Sequence, residues 1–323
     1  MVAVVRVHQT GGPEMLRYED IPAKEPGQGE IKIKQTAIGL NYIDTYFRSG
    51  LYPAQLPFVA GNEGAGVVTA VGAGVKGIKK GDRVAYVFTL GAYAAERVLP
   101  AERAVKIPPK IDDKTAAAMM LKGMTAQYLL RRTYKVKKGD TILVHAAAGG
   151  VGQILCQWGK ALGATVIGTV GSKQKADVAK KNGAHHTILY NEENWVARVA
   201  EITHGKKCDV VYDGVGKTTF MGSLDCLRPL GMMVIYGNAS GPVDSLNTGI
   251  LAQKGSLFLT RPTLATYTAS AKDLQATAKD LIDVILKKKV KIEVNQTYSL
   301  RDAQQAHRDL ESRKTTGQTV LIP

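Results

Sequence analysis

Ala147-Ala148-Gly149-Gly150-Val151-Gly152 stands between an apolar run ending at Ala147 and a segment with helical character. That is the strand, turn and helix order of a dinucleotide fingerprint, with Ala147 where the first glycine usually sits. Gly149 lets the backbone approach a pyrophosphate, and Gly152 lets the helix pack closely on the strand. The N–H groups opening the helix at Gly150 and Val151 face the anion. An NAD ribose calls for an acid after the next strand, yet no Asp or Glu lies between Gly149 and Ala176. Gly171-Ser172-Lys173-Gln174-Lys175 stands there instead, with a hydroxyl and ammonium groups suited to a 2′-phosphate. Tyr190, ending the third strand, adds a hydroxyl or a stacking ring. NADP(H) is therefore the expected cofactor. A second glycine-rich turn, Gly214-Val215-Gly216-Lys217-Thr218, resembles the end of a P-loop, but Val211 occupies the position where that motif needs its first glycine. We place this turn along the dinucleotide crevice instead.

The surrounding elements fit that site. Apolar runs at 141 to 147, 164 to 171, 186 to 190, 208 to 214, 231 to 238 and 256 to 262 alternate with helical segments. They predict an α/β fold with a doubly wound, Rossmann-type parallel sheet of six strands. Residues 1 to about 110 instead show short alternating runs split by Gly and Pro clusters, a barrel-like β pattern. The last sixty or so residues read as two helices and two short strands that return to this β region. The expected domains are 1–123 with 263–323, and 124–262.

Composition narrows the possibilities. The 323 residues are 45% hydrophobic and 22% charged, enough apolar material for about two folded domains. No apolar stretch is long enough to span a membrane, and the N-terminus alternates like a strand, so a soluble protein without a signal peptide is expected. The three cysteines, Cys156, Cys208 and Cys226, form no CxxC pair, which argues against a disulfide framework and suits a reducing cytoplasmic compartment. The net charge of +15 is spread over short lysine runs, such as Lys79-Lys80 and Lys287 to Lys289, and reads as surface rather than a nucleic-acid footprint.

Gly139-Asp140, Leu143, Ala147 to Gly150, Gly152, Gln157 and Lys160 follow the signature of a known group. With 39 to 53, 61 to 68, 122 to 130 and the block from Ala306 to Gly317, the chain resembles the zinc-free quinone oxidoreductase, or zeta-crystallin-like, branch of the medium-chain dehydrogenase/reductase superfamily. The likeness is strongest to its bacterial quinone reductases. It implies a GroES-like β-barrel catalytic domain beside the Rossmann domain. The superfamily's zinc enzymes carry an early Cys, a Gly-His-Glu motif and four closely spaced Cys. Here the motif reads Gly61-Asn62-Glu63 and no Cys precedes Cys156, so neither zinc site is expected.

The resemblance implies NADPH-dependent reduction of a quinone or similar small electrophile, because such a substrate accepts hydride without Lewis-acid help. It places the loop Asn41 to Arg48 against the nicotinamide, with Tyr46 and Asn41 polarising and positioning the substrate oxygen. Arg261, before Pro262 at the end of the sixth strand, either faces the substrate as a catalytic residue or serves an inter-domain structural role. Asp44 is read as a turn or helix-capping residue. For the cofactor it implies Asn41, Tyr42, Tyr46, Thr125, Tyr128, Gly149, Gly150, Val151, Gly171, Ser172, Lys175, Tyr190, Val215, Gly237, Asn238 and Arg313. Arg313 would reach the 2′-phosphate. A homodimer paired through the sixth strands is also implied. Reduction of enoyl or alkenal double bonds, and RNA binding as in some relatives, are the alternative activities.

Overall fold

Strands and helices follow each other in a computed structural model that describes residues 1–323. The first stretch carries β1 (Val2–Val7), β2 (Leu16–Ile21), β3 (Glu30–Leu40), α1 (Tyr42–Ser49), β4 (Phe58–Val59), β5 (Glu63–Val71), β6 (Arg83–Val87), β7 (Glu96–Pro100), β8 (Ala104–Lys106) and α2 (Asp113–Tyr128). An alternating stretch follows: β9 (Thr141–Val144), α3 (Gly150–Ala161), β10 (Thr165–Val170), α4 (Lys173–Lys181), β11 (His186–Leu189), α5 (Trp195–Ile202), β12 (Cys208–Asp213), α6 (Phe220–Asp225), β13 (Leu227–Ile235), α7 (Gly249–Gln253), β14 (Phe258–Thr260) and α8 (Leu264–Tyr267). The chain closes with α9 (Ala271–Leu286), β15 (Val294–Ser299), α10 (Ala303–Glu311) and β16 (Gln318–Ile322).

Two compact units result. One comprises Met1–Met124, Thr268–Leu286 and Ile292–Pro323. The other comprises Thr125–Tyr267 with Lys287–Lys291.

In the first unit the β pattern forms a seven-stranded and a three-stranded sheet. The larger follows the order β15-β16-β3-β5-β6-β8, with β7 also pairing β3, and the smaller runs β2-β1-β4. The chain's tail joins the larger sheet directly, β16 pairing antiparallel with β3. Alternation, with its phase changed at the register shift between Gln35 and Ala37, puts Ile31, Ile33, Ile38 and Leu40 of β3 into one apolar core with Val5, Val7, Tyr86, Leu99 and Leu321.

In the second unit every ladder is parallel, in the order β11-β10-β9-β12-β13-β14. Counted in chain order this is 3-2-1-4-5-6, the doubly wound arrangement. Its inner strands are buried almost throughout because helices cover both faces, which is why they read as continuous apolar runs rather than alternating ones. Leu143, Ile167, Ile188, Val211, Phe220 and Met233 form its core. β14 is shorter than its apolar run, with only three residues, and lies at the sheet's edge. No helix of the chain is long and apolar enough to cross a membrane.

Candidate active site

The second unit assembles its candidate residues at the carboxyl ends of parallel strands, where open α/β sheets bind ligands. After β9 the chain turns through Ala146, at φ 52, and Gly149 begins α3 with no side-chain cap. Its first-turn N–H groups and the positive end of its dipole are thus presented to an anion. A Cβ on Gly152 would stand 2.3 Å from the Ala146 carbonyl oxygen, so only glycine allows the helix to start this close. Ala147, the departure from the usual fingerprint, is accommodated across the sheet. A Cβ on Gly168 of β10 would stand 2.6 Å from the Ala147 methyl, so the glycine at 168 leaves that methyl its room.

Gly171 and Ser172 follow β10. Tyr190, more than a third exposed, lays its hydroxyl over Gly171, 2.8 Å from where a Cβ would stand. Ser172 Oγ accepts from the Lys175 N–H at 3.3 Å and caps α4. Part of the hydroxyl expected at a phosphate is therefore committed to the helix, and its O–H is what remains for a ligand. Lys173 and Lys175 fall in the first turn of α4, which holds no acidic residue. Cations oppose the helix dipole there, and an anion bound beside them offsets that cost.

The turn after β12 is pinned from below. The buried Asp213 carboxylate accepts from the Val215 and Gly216 N–H groups at 2.7 and 3.0 Å and from Thr219 Oγ1 at 2.7 Å. These N–H groups point at Asp213, so the turn is no phosphate cradle, and Lys217 pairs with exposed Asp244. Val215 and the loop carrying Gly237 and Asn238 are stitched together, the Val215 carbonyl accepting from the Ser240 N–H at 2.8 Å. A Cβ on Gly237 would stand 2.5 Å from the Gly214 carbonyl oxygen. Beneath the crevice, His145 bonds Thr169 Oγ1 at 2.8 Å and Ser223 Oγ at 3.0 Å, joining β9, β10 and α6. Burial holds its imidazole below the usual range, so it is a neutral strut.

Thr125 and Tyr128, at the end of α2, are buried, and the Tyr128 ring stacks on Tyr267 at 4.5 Å rather than standing open. Arg261 is exposed just after the edge strand β14, two strands beyond β12, and donates to the Pro262 carbonyl at 3.1 Å.

The first unit builds its site on the start of α1. Asn41, in extended backbone, is the N-cap, and its N–H donates to Asp44 Oδ2 at 2.9 Å, the capping role read for Asp44. Asp44 also accepts from Asn62 Nδ2 at 2.9 Å and Tyr93 Oη at 3.1 Å. Burial pushes its carboxyl up to about 6 in spite of these donors. Glu63, fully buried, accepts from the Leu121 N–H at 2.8 Å and from Asn41 Nδ2 at 2.7 Å. Burial pushes it up to about 7, against the opposing pull of Lys122.

Asn41 therefore spends its amide N–H groups on Glu63 and, at 3.3 Å, the Gly39 carbonyl. It cannot donate to a substrate oxygen as expected. Asn41 Oδ1 is buried and has no partner. It faces the first turn of α1, where the capping box sets the Asn41 side chain toward the Asp44 N–H.

Tyr46 packs between Tyr42 and Tyr52, ring centroids at 5.8 and 5.2 Å. Arg313 and Glu311 stand close enough to Tyr42 to act on its phenol, Arg313 lowering and Glu311 raising its pKa, which burial raises further.

Sequence reasoning missed a second buried network. Arg48 donates to both Glu311 oxygens at 3.0 and 2.7 Å and to His307 Nδ1 at 3.0 Å. Because Nδ1 is an acceptor, the ring proton lies on Nε2, which faces Tyr93 Oη at 3.0 Å, and Tyr93 then donates to Asp44. Burial, and Arg48 beside it, push His307 down to about 3. No local pattern signals this chain, since Arg48 and His307 are 259 residues apart.

Zinc does not fit these residues. Asn62 donates its amide to Asp44, Asp44 and Glu63 each accept hydrogen bonds on both oxygens, and no three potential ligands cluster. The cysteines are buried in the other unit, with burial pushing the Cys156 and Cys226 thiols up to about 12.

The family models that match describe an alcohol dehydrogenase GroES-like domain over residues 27–109 and a zinc-binding dehydrogenase over 150–286. A quinone oxidoreductase of Pseudomonas aeruginosa is 55% identical over 315 residues, 97% of each chain. A 2-haloacrylate reductase of Burkholderia is 45% identical, covering 100% of this chain and 99% of its own. The structure of Escherichia coli quinone oxidoreductase complexed with NADPH superposes with a TM-score of 0.97 at 50% identity, covering 99% of this chain and 100% of that one.

Proposed function

The chain belongs to the quinone oxidoreductase family of the medium-chain dehydrogenase/reductase superfamily, and from that premise we propose that it reduces quinones with NADPH. One observation carries this reading. The place where the superfamily's zinc enzymes hold their metal is filled here by a closed network of amides and carboxylates, while the dinucleotide crevice is intact. Bound NADPH supplies the hydride. The residues of the chain bind, orient and polarise. The first turn of α3 receives the pyrophosphate, and Lys175, Ser172, Tyr190 and Arg313 hold the 2′-phosphate. Tyr46, its ring fixed by Tyr42 and Tyr52, donates to the oxyanion developing on the quinone. Asn41, at the start of α1, is assigned to the cofactor side of the site.

A second reading has a specific support, the relative named as a 2-haloacrylate reductase, whose substrate is an activated double bond. Steady-state NADPH oxidation with 1,4-benzoquinone, 1,2-naphthoquinone and 2-alkenals separates the two. We expect quinones to be preferred, and a clear preference for alkenals would replace the first reading by the second.

We also infer a homodimer. β14 ends its sheet with an unpaired edge, beside which Phe258 is 56% and Leu230 59% exposed. An open edge with apolar side chains calls for a second strand. Phe258→Lys should shift the sedimentation coefficient toward that of a monomer; an unchanged value would reject this edge as the interface.

A further inference from the structure

We propose that Asp213 is a positioning residue whose carboxylate fills the anion nest of the turn after β12 and so holds that turn as one wall of the dinucleotide crevice. The inference rests on the NADPH-dependent reading above and adds to it the device that shapes this side of the site.

The turn has the build of an anion cradle. Gly216 stands at φ 94, and its N–H and that of Val215 converge on one point. A Cβ on Gly216 would meet the Gly241 carbonyl oxygen at 2.7 Å, so only glycine fits there. The anion is supplied by the chain itself. Asp213 Oδ1 accepts both N–H groups, at 2.7 and 3.0 Å. Oδ2 accepts from Thr219 Oγ1 at 2.7 Å and shares the Ser223 hydroxyl, at 3.3 Å, with the Thr219 carbonyl at 2.8 Å. All four donors are neutral and Asp213 is wholly buried, so the carboxylate depends on these groups and fixes them in return.

The network spans the switch point of the sheet. In the order β11-β10-β9-β12-β13-β14 the chain leaves β9 in one direction and returns at β12 in the other, and ligands of such sheets lie outside the carboxyl ends of that pair. Ser223 Oγ spends its one proton on two acceptors, so it accepts from His145 Nε2 at 3.0 Å, and His145 Nδ1 accepts from Thr169 Oγ1 at 2.8 Å. The turn after β12 is thereby tied to the ends of β9 and β10. Its Val215 offers a ligand no free backbone group, the N–H going to Asp213 and the carbonyl to Ser240. With the 2′-phosphate read after β10 and the pyrophosphate after β9, the nicotinamide half of the dinucleotide continues toward β12 and meets this wall. The adenosine half does not.

Asp213→Ala empties the nest. The readout is the dissociation constant, by titration calorimetry without any quinone, of NADPH and of 2′,5′-ADP, which carries the adenosine half alone. We expect NADPH to weaken about tenfold and 2′,5′-ADP to keep its wild-type affinity. Formate, a carboxylate of the size removed, should restore NADPH binding to within about threefold of wild type, and chloride at equal ionic strength should not. Wild-type NADPH affinity in Asp213→Ala, an equal loss of 2′,5′-ADP, or no response to formate would overturn the proposal while leaving NADPH dependence intact. Thr219→Val, which removes one donor and leaves the nest filled, carries the test where Asp213→Ala does not fold. It should show the same split at about threefold, and the absence of that split would overturn the proposal. Failure of wild type to bind NADPH would overturn the underlying reading.

Discussion

The close approach of Ala147 and Gly168 gives the sharpest quantitative test of how the phosphate loop is built. A methyl added at Gly168 would stand 2.6 Å from the Ala147 Cβ, inside any allowed contact. The next atoms, Ala184 Cβ at 3.6 Å and the His186 carbonyl oxygen at 3.9 Å, are at ordinary packing distance. Gly168→Ala alone must therefore displace the loop or β10, at an overpacking cost of about 1–3 kcal/mol. Ala147→Gly alone removes one fully buried methyl, about 0.8 kcal/mol, and adds about 0.5–1 kcal/mol for the freer backbone. If the two sites were independent, the double variant would lose about 2–5 kcal/mol. With Ala147 reduced to glycine, however, the new methyl at 168 meets nothing closer than 3.6 Å, and most of the first cost disappears. The double variant should be about as stable as Ala147→Gly, a coupling of about 1–3 kcal/mol. Urea unfolding followed by tryptophan fluorescence, both tryptophans lying in the second unit, reads the cycle. NADPH affinity should follow it, falling in Gly168→Ala and recovering in the pair. Additive losses would show that Ala147 and Gly168 do not share one space, and the account of the altered fingerprint would fail.

Lys175→Ala and Arg313→Ala should each raise the KM for NADPH by about tenfold or more, the loss of one charge-assisted hydrogen bond, with little change for NADH; equal effects on the two cofactors would show the 2′-phosphate site to be misplaced. Arg48→Met removes the paired bonds to Glu311 and the donor to His307, and because Glu311 is about one-third exposed the loss should fall near 3 kcal/mol in urea unfolding; a loss below about 1 kcal/mol would deny the network a structural role. A pH series tests the buried charges. Glu63 is pushed up from 4.5 to about 7 in the fold, so its contribution to stability is present below pH 4.5 and is lost as pH rises through 7. His307 is pushed down from 6.5 to about 3, so its contribution is present above pH 6.5 and is lost as pH falls toward 3. The two oppose each other between pH 4.5 and 6.5, and Glu63→Gln should make acid destabilisation steeper than in wild type. Parallel profiles would refute the assignment.

The dinucleotide half of the protein was legible because its signals are local. Six apolar runs with helices between them can only be covered on both faces, and the glycines at 149 and 152 sit within a few residues of the strand that needs them. The return of the tail was visible as short strands that do not continue a parallel pattern, and β16 indeed pairs with β3. Asp44 was readable as a cap because its partner is three residues away. Tyr128 was less so, since only the fold reveals that Tyr267 covers its ring.

The sequence by itself determined the chemistry that is possible here: a dinucleotide crevice, a lysine-bearing turn without an acid, and no thiol or imidazole where a zinc ion would need one. Tertiary structure decided how the remaining groups are used. Glu63 reaches Asn41 across 22 positions and takes up its amide N–H, Gly168 makes room for Ala147 from the next strand, and Arg48 meets His307 across nearly the whole chain. Types and short spacings are written along the chain, whereas the direction of a hydrogen bond depends on which distant group the fold sets opposite it.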